Sequence, residues 1–169
     1  MRRCISVVKC SELLYYTGVG SRETPDDICA VMTMLASELE LIGFILRSGH
    51  AKQADQAFEN GVKNYKHKEI YLSGHISDAA WEIVEQVHPK PEYARQYRGI
   101  LGRDVYQVLG RNLDKPSKFL VSWTKGGQLV GGTATTIRVA MLYDVPVFNL
   151  FSDSPYDVLT FATTVINGK

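Results

Sequence analysis

The sequence predicts an α/β domain, a doubly wound, mainly parallel sheet of five or slightly more strands with helices on both faces. Three observations carry this expectation. Five short runs rich in β-branched and aromatic residues alternate with segments of helical periodicity. Such alternation is the signature of a parallel sheet covered on both sides. The third observation is composition: 169 residues, 45% hydrophobic and 22% charged, suit one globular domain spanning 1–169.

The first strand-like run is LLYYTGV (13–19). It leads into TPDD, which predicts a helix start with Thr24 as N-cap, Pro25 at the first helical position and Asp26 and Asp27 in the first turn, where carboxylates suit the helix dipole. Ile28, Val31, Met32, Leu35, Leu39 and Ile42 then recur at helical spacing, giving one buried face. The second run is GFILRS (43–48), followed by a helical segment over 51–65. KEIYL (68–72) is the third run. Two helices follow, over 77–87 and 92–110, with Pro89 and Pro91 marking the break between them. KFLVSW (118–123), a helix over 133–143, VPVFNL (145–150) and a helix over 155–165 complete the pattern.

A formal net charge of +1 argues against binding long nucleic acid through bulk electrostatics. An anionic partner is therefore expected to be small, and long nucleic acid is the less favoured partner. Cys4, Cys10 and Cys29 are odd in number and lack metal-ligand spacing, so no disulfide framework or metal site is expected. That usage fits a reducing cytoplasm. MRRCISVVKCSELLYY shows no cleavage pattern, and no run approaches 18 apolar residues, so neither export nor a membrane span is expected.

Ligands of open parallel sheets bind beyond the carboxyl ends of the strands, near the reversal of strand order. Three loops expected there look alike: TGVGSRET, RSGHAKQAD and SWTKGGQLVGGTATT. Each joins glycine to Ser, Thr, Arg or Lys and runs into a helix start, where free N–H groups attract anions. The bland role of such a glycine is simply to make the turn. Neither GxxxxGK[ST] nor GxGxxG occurs, and no cofactor is called for.

The second loop poses a puzzle. His50 and Lys52 lie in the expected first turn of a helix, where a cation is disfavoured by about 0.3–1 kcal/mol unless an anion binds nearby. Either both point into water or both meet a ligand. Arg22 suits a bidentate phosphate contact, its alternative role being a pair with Glu23 or Asp26. Trp123 ends a strand and either stacks on a ring of the ligand or packs in the core. The candidate ligand contacts are Gly20, Ser21 and Arg22 in the first loop, and Arg47, Ser48, Gly49, His50, Lys52 and Asp55 in the second. Trp123, Thr124, Gly131, Gly132 and Thr133 represent the third.

GSRETP, LRSGHAKQADQAFENG, WTKGGQLVGGTATTIRVA and PVFNL, in this order, resemble the compact Rossmann-type domains of the SLOG superfamily, with the closest likeness to small stand-alone DprA-like proteins of phages and bacteria. The resemblance covers roughly residues 14–151. It implies a nucleotide or nucleotide-derived ligand, with phosphate held by Gly20–Arg22, by Ser48 and Gly49, and by Gly131–Thr133. Asp55 would bind ribose hydroxyls or brace a neighbouring loop. Relatives that pair through helices imply a homo-oligomer, a dimer or higher. The second motif departs from the usual Ser-Gly-Gly-Ala-x-Gly-x-Asp: His50 and Gln53 replace glycines and Lys52 lies between them.

Three functions follow as expectations. The leading one is sensing or sequestering a small nucleotide-derived molecule; for a phage protein in its host's cytoplasm, this extends to capturing a defence signal such as an ADP-ribose derivative or cyclic nucleotide. The second is hydrolysis of a nucleoside monophosphate, as in the similar Lonely Guy phosphoribohydrolases. Their motif glutamate assists cleavage of the N-glycosidic bond, but Thr136 holds that place here, leaving Asp55 and Glu59 as catalytic candidates. The third is DprA-like binding of single-stranded DNA through Arg95, Arg98, Arg103 and Arg111 interleaved with Tyr93, Tyr97 and Tyr106. Against it, Tyr97, Leu101, Val105, Val108 and Leu109 form an apolar helical face with arginines on its solvated side.

Overall fold

A computed structural model describes residues 12–168. Cys4, Cys10 and the segment read for an export signal lie outside the described residues, except for Glu12 to Tyr16. The five expected strands form one sheet: β1 (Leu14–Gly18), β2 (Phe44–Ser48), β3 (Lys68–Ile70), β4 (Leu120–Ser122) and β5 (Val147–Asn149). Their order is β3-β2-β1-β4-β5 and every pairing is parallel. The chain moves outward from β1 on one side and then returns to lay β4 on the other. Strand order therefore reverses between β1 and β4, the position that opens a crevice at the strands' carboxyl ends.

Side-chain alternation along the strands supplies two cores. Leu14, Tyr16, Phe44, Leu46, Phe119 and Val121 face α1 (Asp26–Leu41), α2 (Ala54–Gly61) and α7 (Pro155–Asn167). The opposite face, with Leu120, meets α3 (Asp78–Val87), α5 (Arg98–Leu109) and α6 (Gly132–Leu142). The short α4 (Pro91–Ala94) sits between α3 and α5. An aromatic cluster of Tyr16, Phe44, Phe58 and Phe119 fills the first core, with Tyr16 and Phe119 stacked at 5.7 Å. The second face also buries polar groups that pin α5: the Thr17 hydroxyl donates to the Gln107 carbonyl at 2.7 Å.

Several local expectations are corrected. Thr24 is not the N-cap of α1; its hydroxyl donates to the Ser21 carbonyl at 2.6 Å, closing a turn, and Pro25 takes the cap position in extended backbone. Asp26 and Asp27 do open the helix. Met32, Leu35 and Leu39 are buried on the predicted face, whereas Ile42 is 39% exposed beyond the helix end. The helix expected over 51–65 shrinks to Ala54–Gly61, since His50 and Gln53 both take positive φ, which helical backbone excludes. The helix expected over 92–110 is broken into α4, a tight 3₁₀ turn at Arg95–Tyr97 and α5. Among the described residues, no helix is long and apolar enough to cross a membrane.

Candidate functional site

The loops after β1 and β4 border a cavity of about 320 Å³ at the reversal of strand order. That volume lies at the lower end of small-molecule pockets, roughly 300–1,000 Å³. Four walls enclose it. The loop after β1 supplies Gly20, Ser21 and Arg22; the α6 entry supplies Gly131, Gly132 and Thr133; α2 and its lead-in supply Asp55 and Ala51. The fourth wall is α5, through Ile100, Arg103, Asp104 and Gln107. Positions 100, 103, 104 and 107 are one helical stripe. The neighbouring residues Leu101, Val105, Val108 and Leu109 pack into the core.

The α6 wall is an open helix N-terminus. Gly131 adopts φ +73°, a left-handed conformation that glycine takes without strain, and no side chain caps the helix. A Cβ built on Gly131 or Gly132 would meet nothing within 4 Å, so the space in front of the first turn is clear. Arg22, on the wall formed by the loop after β1, is exposed and has no ion pair among the described residues. Its expected carboxylate partners are engaged elsewhere: Glu23 meets Lys125 at 3.2 Å, and Asp26 accepts from Gln53.

The second loop differs. Asp55 turns its carboxylate back into the loop, where Oδ2 accepts the N–H groups of Gly49 (3.1 Å) and Ala51 (3.3 Å). Glu59 accepts the His50 N–H at 3.0 Å and also meets His50 Nδ1. The three successive N–H groups that would cradle a phosphate therefore already hold protein carboxylates. His50 and Lys52 are not in a helical first turn, because α2 begins at Ala54. Neither lines the cavity: His50 is tied to Glu59 and Lys52 is exposed.

Other candidates have structural surroundings. Arg47 is 1% exposed; it donates to Glu69 at 2.9 Å and to the Lys115 carbonyl at 2.6 Å, and its guanidinium lies 3.7 Å over the Tyr15 ring. Trp123 packs in the core and offers its carbonyl to Ser21 N–H. Thr124 is held by Asn149, whose amide contacts both its N–H and its hydroxyl. Ser48 is fully buried, and Gly49 has no Cβ because one would overlap the Gln107 amide. Glu59, the second catalytic candidate, faces His50 rather than the cavity.

From sequence, Arg103 is expected against single-stranded DNA or on a solvated helical face, and not in the ligand cavity. Its side chain is instead largely buried, donating to the Gly49 carbonyl at 3.0 Å and lying 3.5 Å from Asp104. Asp104 is buried, and desolvation pushes its carboxyl up to about 8, with Arg103 opposing and Asp55 reinforcing the rise. Desolvation also raises Asp55, to about 6; its backbone hydrogen bonds and Arg103 limit the rise. Gln107 is 1% exposed, and neither its amide nitrogen nor its amide oxygen finds a partner. Three polar residues at i, i+1 and i+4, Arg103, Asp104 and Gln107, beside the apolar face are the signal the sequence carries for this wall. The remaining arginines of this region are occupied: Arg95 by Glu85, Arg98 by Asp78, and Arg111 over Tyr106 and Tyr71.

The cavity lining thus combines two chemistries. The helix dipole and Arg22 are receptive to an anion. Asp55 and Asp104, whose carboxyls burial raises, share the lining with the Arg103 guanidinium. No family model, curated protein or solved structure matches the chain.

Proposed function

We propose that the chain binds a small nucleotide or nucleotide-derived signalling molecule, as a sensor or a sink. The observation that carries this reading is the pairing of two chemistries in one cavity: an uncapped α6 N-terminus and Arg22 line it together with Arg103, Asp55 and Asp104. Phosphate suits the α6 N–H groups and the Arg22 guanidinium. Hydroxyls and a base suit the carboxyls of Asp55 and Asp104. The likeness of GSRETP and GGTATT to SLOG loops points the same way, and by that likeness the chain would belong among DprA-like proteins.

A second reading is favoured by one observation. Two carboxyls with separated proton affinities share the cavity, an arrangement that serves acid–base cleavage of a glycosidic bond. In that reading Asp104 delivers a proton to the leaving base and Asp55 stabilises the cationic ribose or activates water. Thr136, which lines the cavity where Lonely Guy hydrolases carry glutamate, leaves this work to α2 and α5.

The test is incubation with nucleoside monophosphates, cyclic nucleotides and ADP-ribose derivatives, followed by native mass spectrometry and chromatography of the same samples. An unaltered bound ligand supports capture, and release of free base supports hydrolysis. Arg22→Ala should weaken any phosphate ligand by about tenfold, equivalent to about 1.4 kcal/mol. Lys52→Ala, outside the cavity, should change it by less than about twofold through screened long-range attraction. Binding of none of the panel, with salt-sensitive retention of single-stranded DNA, would overturn the proposal.

A further inference from the structure

Arg103 is a largely buried cation with little to balance it. Its side chain lines the cavity and is 14% exposed. Nη1 donates to the Gly49 carbonyl at 3.0 Å, which fixes the guanidinium against the second loop. Nε lies 3.5 Å from Asp104 Oδ1, makes no hydrogen bond and is sealed from solvent. Nη2 makes no hydrogen bond among the described residues and is not among the sealed atoms, which makes it the nitrogen available to a ligand. A guanidinium carries five N–H donors and keeps its charge, so a largely buried one calls for acceptors.

The carboxyls beside it do not neutralise the cavity. Burial pushes Asp104 up to about 8, so it adds little negative charge at neutral pH. Asp55 already receives the Gly49 and Ala51 N–H groups through Oδ2. Among the described residues of the lining, Arg22, Arg103 and the open α6 N-terminus therefore outweigh Asp55, and the cavity carries a positive excess. The α6 N–H groups and Arg22 serve one phosphoryl group. Arg103 stands on a different wall, α5, and is held there by Gly49, so it is placed for an anionic group beyond that first one.

We propose that the cavity takes a diphosphate, with one phosphoryl group at the α6 N-terminus and Arg22 and the other on Arg103 Nη2. Arg103 is then the residue that separates diphosphates from monophosphates. This rests on the nucleotide-binding reading and names the class of ligand within it. The two phosphoryl groups share a bridging oxygen, so they are neighbours and fit within one cavity of about 320 Å³. The diphosphate belongs either to a nucleoside diphosphate or to free pyrophosphate, and its chemistry at Arg103 is the same in both.

Isothermal titration without divalent cations compares pyrophosphate with inorganic phosphate, and adenosine diphosphate with adenosine monophosphate. The wild-type chain should prefer the diphosphate of at least one pair by about tenfold or more. Tighter binding of adenosine diphosphate than of pyrophosphate identifies a nucleoside diphosphate as the source; the reverse identifies the free anion. Arg103→Gln should bring the preferred pair within about twofold of each other and leave the monophosphates within about twofold of wild type, whereas Arg22→Ala should weaken monophosphates and diphosphates alike. Arg103→Lys, which keeps the charge but not the planar fork, serves if the glutamine variant fails to fold, and should cut the preference to about threefold. Binding without preference in either pair, or a preference that survives both Arg103 substitutions, overturns this inference and leaves the nucleotide reading standing. Equal losses of monophosphate and diphosphate affinity in the Arg103 variants would put both arginines on one phosphoryl group and overturn it as well. Failure of all four probes and of the wider nucleotide panel removes both.

Discussion

The second and third glycine loops begin alike in sequence and end as opposites. In the second, Gly49, His50 and Ala51 give their N–H groups to the chain's own carboxylates, Asp55 and Glu59. In the third, Gly131 leads into an uncapped helix with clear space before its first turn. The difference is whether an acidic residue follows within reach. α2 carries Asp55 in its first turn and Glu59 one turn later, whereas α6 has no acidic residue in its first turn. Glycine beside a helix start therefore marks an anion site only when the protein does not supply the anion itself.

The two carboxyls of the cavity extend this contrast, and the largest expected effect comes from them. Asp55 receives two backbone N–H bonds and stays near 6; Asp104 receives none from the backbone and rises to about 8. A carboxyl whose folded-state pKa exceeds its unfolded value binds its proton more tightly in the fold. Its contribution to stability is complete below the ordinary value of 3.8 and is lost as pH rises towards about 8. Urea unfolding across this range should show stability falling with pH. Asp104→Asn, which mimics the protonated form, should flatten the fall above pH 6 and gain on the order of 3 kcal/mol over the parent at pH 9. Parallel profiles for the two proteins would show that Asp104 is not held protonated.

Next in size is removal of the internal anion. Asp55→Ala strands the Gly49 and Ala51 N–H groups, and a net loss of about 1–3 kcal/mol at pH 7 is expected, since relief of carboxylate burial offsets part of the cost. Formate, small enough for the vacated volume, should restore part of the melting temperature in this variant and have no such effect on the parent. Equal stability of variant and parent would mean that the second loop is not organised by Asp55.

The fold was legible because parallel strands buried on both faces and amphipathic helices leave strong periodic traces. All five strands, from Leu14–Gly18 to Val147–Asn149, fall within the runs LLYYTGV to VPVFNL. What escaped were features set by tertiary contacts. The positive φ of His50 and Gln53 delays α2, and nothing in HAKQ announces it. Arg47 reads as a loop cation yet is consumed beneath α5 by Glu69 and two carbonyls. Gly20, Arg22, Asp55 and Gly131–Thr133 were named from their loops and do share one cavity. Arg103, Asp104 and Gln107 were not, because α5 is distant in sequence from every glycine loop and its polar stripe resembles a solvated surface until the sheet closes over it.

The smallest expected stability effect tests the contrast most directly, by making the third loop imitate the second. Gly132 is the first residue of α6, its φ lies outside the left-handed region, and a Cβ there meets no atom within 4 Å. Gly132→Asp therefore fits without strain and brings a carboxylate to the open N-terminus. Such a charge stabilises a helix by about 0.3–1 kcal/mol, and replacing glycine near a helix start adds a few tenths more. Thermal unfolding at low salt should rise by a few degrees, while any phosphate-bearing ligand loses about tenfold or more in affinity as like charges meet. Higher stability with unchanged affinity would move the phosphate away from α6. Unchanged stability with lost affinity would instead mean that the dipole is already screened by water and that only the space before Gly132 matters.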